Sequence, residues 1–308
     1  MAVDWRALYP FASQFFATSS GARMHYLDEG PAERESAQPL LMVHGNPTWS
    51  FYWRNLVVGL RDEFRCVVPD HIGCGLSDKP QRYRYQLAQH IDNLAELVDK
   101  LDLKNVTLLA HDWGGAIGLG AALRLPDRFA RVVLFNTGAF PPSYIPYRIA
   151  ACRIPLVGKV AIQGFNLFAR AAITMATEKP ERMTPAVQAG LLAPYNNWAN
   201  RIATWRFVKD IPFTRRKPTG QKLAEIESQL WTLKEKPISL IWGMRDWCFD
   251  PRCLARFRTH WPNAEVHELA DCGHYVIEDA HERIVPLVQE FIKKSPLASS
   301  LLPGGTSE

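Results

Sequence analysis

At 308 residues, 47% apolar and 22% charged, the chain can bury a large core as one domain with an insertion or as two domains. Its net charge of +5 is spread along the sequence, with Arg215-Arg216-Lys217 the one short basic run, so nucleic-acid binding is not implied. The 6 cysteines show no C-x-x-C spacing, and a chain this long needs no disulfide stapling, so reduced thiols in the cytoplasm are expected. The N-terminal residues lack the basic region and apolar run of a secretory signal, and export is not expected. Residues 148–176 are apolar, but Arg148, Arg153, Lys159 and Arg170 interrupt them, which excludes a membrane span there.

In chain order, residues 11–30 read as a leading antiparallel pair of strands turning at Ser19-Ser20-Gly21. Apolar, β-branched runs follow at 40–43, 66–68, 106–109, 132–135 and 238–242, alternating with helical patterns. That alternation predicts a mostly parallel sheet covered by helices, an α/β fold. Ile91, Leu94, Val98 and Leu101 recur at helical spacing, with Asp92, Glu96 and Lys100 off that stripe, so this crossover is a helix. After Asn136 the alternation breaks into apolar helical stretches with prolines and aromatics. An inserted helical cap over 138–213 is the simplest reading, with the main domain formed by 1–137 and 214–294. A helix at 221–233 returns the chain to it, and a Ser/Gly/Pro-rich tail of 295–308 is expected to be loose.

In a parallel sheet, active groups collect at the carboxyl ends of the strands. Asp112 follows the run 106–109 and precedes Trp113-Gly114-Gly115, a strand-turn-helix in which Ala110 and Gly114 are the small residues that a nucleophile elbow requires. An aspartate there is ionised at neutral pH and attacks carbon without a base to activate it. Asn46, Asp246 and His274 stand at other strand ends, and the order Asp112, Asp246, His274 is that of α/β-hydrolase triads. No metal-ligand spacing or phosphate-cradling loop is present.

The motifs His44-Gly45-Asn46-Pro47, Asp70 to Asp78, His111-Asp112-Trp113-Gly114-Gly115 and Gly273-His274 together resemble the haloalkane dehalogenases over most of the chain. The resemblance implies an α/β-hydrolase fold with a helical cap, no cofactor, and a small apolar substrate. Asp112 would displace halide from an sp3 carbon to leave an alkyl ester. Trp113 is similar to the family's first halide-binding residue and Asn46 to the second, and their backbone N–H groups would form the oxyanion hole. His274 would activate the hydrolytic water, with Asp246 orienting it. Some relatives carry the acid after the preceding strand; this chain has Asn136 there, so Asp246 takes the role. The combination resembles the third dehalogenase subfamily, which overlaps the β-lactone decarboxylases of long-chain olefin synthesis, and those use the same residues. An epoxide hydrolase, with cap tyrosines protonating the opening ring, and a non-catalytic ligand receptor are the other readings.

Simpler roles stand beside these. Asp112 could cap the following helix, Asn46 could hold a turn before Pro47, and Trp113 could be core. Asp250, before Pro251, reads as a helix start, and Asp271 and Glu278 as local loop or helix charges. His44 and His111 are expected to be satisfied structural histidines, and Asp70 to Asp78 a glycine-shaped support for the pocket floor. Phe140, Tyr144, Tyr147, Phe165, Phe168, Trp198 and Trp205 are candidates for the pocket wall or the cap core.

Overall fold

A computed structural model describes residues 4–297. Eight strands form one sheet: β1 (Gln14–Ala17), β2 (Arg23–Glu29), β3 (Pro39–Val43), β4 (Arg65–Pro69), β5 (Val106–Asp112), β6 (Phe129–Thr137), β7 (Ile238–Gly243) and β8 (Glu265–Leu269). Their order is β1-β2-β4-β3-β5-β6-β7-β8. The leading strands pair antiparallel with each other, and β2 with β4; every other pairing is parallel. The expected strands are thus all present.

The apolar runs form central strands because they are covered on both faces: all residues of β3, β5 and β7 are buried. Alternate residues serve opposite faces. Leu41, Val43, Leu108 and Ala110 join one core with α2 (Leu87–Lys100) and α3 (Trp113–Arg124). Leu40, Met42 and Leu109 join the other with α1 (Arg54–Leu60) and the C-terminal helix Val276–Lys294. Ile91, Leu94 and Val98 of α2 are buried, as the helical spacing requires, while Leu101 is the C-cap. Helix α3 passes so close to α2 that a Cβ at Gly120 would collide with Ile91.

Beyond β6 the chain runs through helices only, among them Tyr147–Ala151, Leu167–Met175, Pro185–Leu192 and Ile202–Asp210, before helix Pro218–Gln229 packs back on α3. Trp205, Ile162 and Val208 form a small core of their own within this segment. Of the tail expected at 295–308, residues 298–308 lie outside the described residues; Arg131 holds the Ser295 carbonyl through its Nε at 2.6 Å.

One charge departs from expectation. Glu278 is not a local helix charge but a buried partner of Arg54, bound through two guanidinium nitrogens at 2.5 and 2.8 Å across the α1–C-terminal helix interface. The Arg54 guanidinium also sits 4.3 Å over the Phe51 ring. Removing one partner strands a buried charge, so Arg54→Met is expected to lower unfolding free energy in urea by about 3 to 5 kcal/mol. The double variant Arg54→Met/Glu278→Leu is expected to recover most of that loss; no recovery would mean that the pair is not what holds this interface.

Candidate active site

The end of β5 dictates the site. Asp112 adopts φ 53°, ψ −128°, a left-handed conformation that a residue other than glycine takes only where its surroundings enforce it. Space is made by glycines: a Cβ at Gly114 would collide with the Val43 carbonyl oxygen, one at Gly45 with the Asp112 carboxylate, and one at Gly115 with Thr137. The Thr137 hydroxyl donates to the Asp112 carbonyl, tying the turn to β6. The Asp112 side chain makes no hydrogen bond capping α3. It turns instead toward Asn46, whose backbone N–H donates to its Oδ1 at 2.7 Å. Burial pushes the Asp112 carboxyl above its ordinary range, while the His274 ring and the N–H groups of Trp113 and Asn46 pull it down.

His274 lies in the loop between β8 and the C-terminal helix, its Nε2 3.7 Å from Asp112 Oδ2 and its Nδ1 2.9 Å from Asp246 Oδ2. Burial opposes a charged ring, but the Asp246 carboxylate, by charge and hydrogen bond, and Asp112 outweigh it, so His274 sits above the ordinary histidine range. Phe249 stacks on the ring, centroids 5.7 Å apart at 23°. The structure thus brings Asp112, His274 and Asp246 into one line.

Asp246 has its own supports. Its Oδ1 accepts from the Cys248 N–H at 2.6 Å and its Oδ2 from Asn136 Nδ2 at 3.0 Å. Asn136 also exchanges hydrogen bonds with the Gly243 backbone in both directions, locking the end of β6 to the end of β7. Sequence reasoning noted Asn136 only for the acid it is not. Asp279 was missed altogether: fully buried, it accepts from the N–H groups of Gly273, Glu178 and Lys179 and from the Thr177 hydroxyl. It therefore ties the His274 loop to the segment before Pro180, although in sequence it looks like any acid in a first helical turn.

Asn46 and Trp113 both line a cavity of about 590 Å³ together with Asp112 and His274. One Asn46 amide N–H is spent on the Thr204 carbonyl at 3.3 Å, which leaves the second free for a ligand. The Trp113 ring packs against Phe207, centroids 5.5 Å apart. The rest of the wall is mostly apolar. Of the seven aromatics considered for it, Phe140, Tyr144 and Phe168 take part; Tyr147, Phe165 and Trp198 are exposed outside it, and Trp205 packs in the small core it forms with Ile162 and Val208.

The remaining candidates serve the surrounding frame, although Asp250 also lines the cavity. Asp250 caps helix Pro251–His260 through the Arg252 N–H. Asp271 pairs with Arg283 and Lys179 at the surface. Asp70 is buried and accepts from His25, the Ser50 N–H and the Leu76 N–H, supporting the turn to Asp78. His111 bonds the His274 carbonyl at 2.8 Å, and His44 receives the His71 N–H at 3.0 Å. Among the described residues, no group of three or more His, Cys, Asp or Glu side chains is placed to hold a metal ion, and no helix is long and apolar enough to cross a membrane.

Comparison with known proteins agrees with this architecture. The profile of the alpha/beta hydrolase fold matches residues 38–151 and 168–280. A cis-3-alkyl-4-alkyloxetan-2-one decarboxylase of Shewanella oneidensis is 43% identical over 96% of this chain and 93% of its own length. A haloalkane dehalogenase 2 of Mycobacterium tuberculosis is 38% identical over 92% of this chain and 96% of its own. Among solved structures, the haloalkane dehalogenase DatA of Agrobacterium tumefaciens superposes with a TM-score of 0.82 at 25% identity, covering 92% of this chain and 97% of that one. The aspartate elbow, the His274 line and these relatives agree: the chain belongs to the α/β-hydrolase fold family, in the company of haloalkane dehalogenases and oxetanone decarboxylases.

Proposed function

We propose that this protein is a hydrolytic haloalkane dehalogenase in its chemistry, with residues 138–213 acting as a cap over the cavity and Asp112 as the nucleophile. The observation that carries the reading is the placement of the two Asp112 oxygens. Oδ1 is held by the Asn46 N–H, while Oδ2 lies toward His274. Attack by Oδ2 on an sp3 carbon expels halide toward the Trp113 indole and the free Asn46 N–H, in a pocket poor in water. The resulting ester keeps its carbonyl oxygen, Oδ1, beside the Asn46 and Trp113 N–H groups. That is where negative charge develops when water attacks the ester. Neutral His274 takes the proton from this water, and Asp246 stabilises the imidazolium. Alcohol, halide and a proton leave. The 6 cysteines are all free, which fits a reducing cytoplasm.

A second reading is favoured by two relatives, 43% and 41% identical, both cis-3-alkyl-4-alkyloxetan-2-one decarboxylases. Attack of Asp112 on the ring carbon that bears oxygen opens such a β-lactone to an ester with a neighbouring carboxylate. Loss of carbon dioxide then pushes its electron pair into a C=C bond and returns the carboxylate of Asp112. No water is consumed. A cavity of about 590 Å³ with mostly apolar walls has room for alkyl chains. An epoxide hydrolase finds less support, since Tyr144 lines the cavity whereas Tyr147 and Tyr195 do not.

Bromide and alkene release should be measured in parallel, with a bromoalkane panel and a long-chain cis-β-lactone. Bromide release at a rate comparable with alkene formation supports the dehalogenase; slow bromide with fast alkene assigns the physiological role to the lactone. With a bromoalkane, His274→Ala is expected to accumulate the alkyl ester, seen as a mass increase on the Asp112 peptide. A variant that loses turnover without any adduct would count against covalent displacement.

The pH profile follows from the charges. Protonated His274 would pair with the attacking Asp112 oxygen and could not serve as base, and its pKa is raised, so the charged form persists to higher pH than for a free histidine. Dehalogenation measured as kcat/KM is therefore expected to fall on the acid side with a midpoint above the ~6.5 of an unperturbed histidine. Asp246→Asn removes the largest charge that holds it up and should move this limb to lower pH. A limb well below that value in the native enzyme would sink the assignment.

A further inference from the structure

The cap segment carries a charge imbalance that the rest of the chain lacks. Residues 138–213 hold nine Lys and Arg against three acids, Glu178, Glu181 and Asp210, while acids outnumber bases elsewhere. Between 138 and 177 there is no acid at all. The same segment exposes large apolar side chains: Leu156 at 75%, Tyr147 at 70%, Phe165 at 65% and Phe213 at 58%. Apolar surface this dense on one segment marks an interaction site rather than scattered exposure.

Cations and rings are interleaved on it. Arg153 lies 4.1 Å over the Phe213 ring, Lys159 5.6 Å over Trp198, and Arg148 5.6 Å over Tyr147. Each cation can therefore stay at the level of a charged headgroup while its ring enters the apolar layer beneath. The exposed patch also reaches the cavity, since Tyr144, Val157 and Leu167 are at once solvent-exposed and part of its wall.

We propose that this face of the cap docks on an anionic lipid surface, so that apolar substrate passes between the acyl layer and the cavity. Charge complementarity selects the occupant. A second copy would bring another cationic face and be repelled. An acidic protein would meet the cations, but a bilayer meets both the cations and protruding aliphatic side chains around an apolar mouth. The inference rests on the cap alone and holds whichever leaving group Asp112 displaces.

Vesicle sedimentation tests it. Phosphatidylcholine vesicles containing phosphatidylglycerol are expected to bind roughly tenfold more protein than phosphatidylcholine alone, with the excess lost at high salt. Leu156→Asp/Phe165→Asp, two positions outside the cavity wall, should abolish binding with an unchanged circular dichroism spectrum and thermal unfolding midpoint. Absence of binding to anionic vesicles, or binding undiminished in the double variant, overturns the proposal. Two other results without vesicle binding would overturn it as well. A dimer in analytical ultracentrifugation that the double variant dissociates assigns the face to a second copy. Binding to polyglutamate assigns it to an acidic protein.

Discussion

A carboxylate held at the tip of a strained turn, with its one solvent-poor side facing a cavity, sets the terms for the rest of this molecule. Asp112 can occupy φ 53° only because the surrounding backbone closes on it from three directions: β3 through Gly45 and Asn46, β6 through Thr137, and α3 through Gly114. The parallel sheet supplies that closure. Its central strands end side by side at their carboxyl edges, so residues far apart in sequence meet within hydrogen-bond distance. Small residues are obligatory there because the backbones themselves are the neighbours.

Around this turn, buried acids are distributed so that each has its own donors. Asp112 has the Asn46 N–H, Asp246 the Cys248 N–H with His274 and Asn136, and Asp279 three backbone N–H groups with Thr177. Glu278 has Arg54 and Asp70 has His25. An unmatched carboxylate at such depth would lose its charge or destabilise the fold. The matching also sets Asp112 apart: the Asn46 N–H holds one of its oxygens, and the other lies 3.7 Å from His274 in the cavity wall. Asp246 bonds the His274 ring, and Asp279 anchors the loop that carries it.

The helical segment after β6 has two sides of different chemistry. Inward, its residues line a mostly apolar chamber together with Asp112 and Trp113. Outward, it combines cations with exposed rings and aliphatic side chains. Thr204 joins these layers, since its carbonyl accepts from the same Asn46 amide that faces the cavity.

By itself the sequence determined the strand ladder and the strand-turn-helix at Asp112. Uninterrupted apolar runs suit only strands buried on both faces, and Ala110 and Gly114 around Asp112 leave room for one kind of turn. The helical stripe of Ile91, Leu94 and Val98 was legible for the same reason, because local periodicity reports local burial. Tertiary structure alone decided the long-range partners: Asn136 with Asp246, Asp279 with Thr177 and Glu178, and Arg54 with Glu278, 224 positions apart. It also decided which aromatics line the cavity and which are exposed, since that depends on how the helices after β6 pack. No spacing along a chain encodes such pairings, because each is fixed by where the sheet brings strand ends and loops together in space.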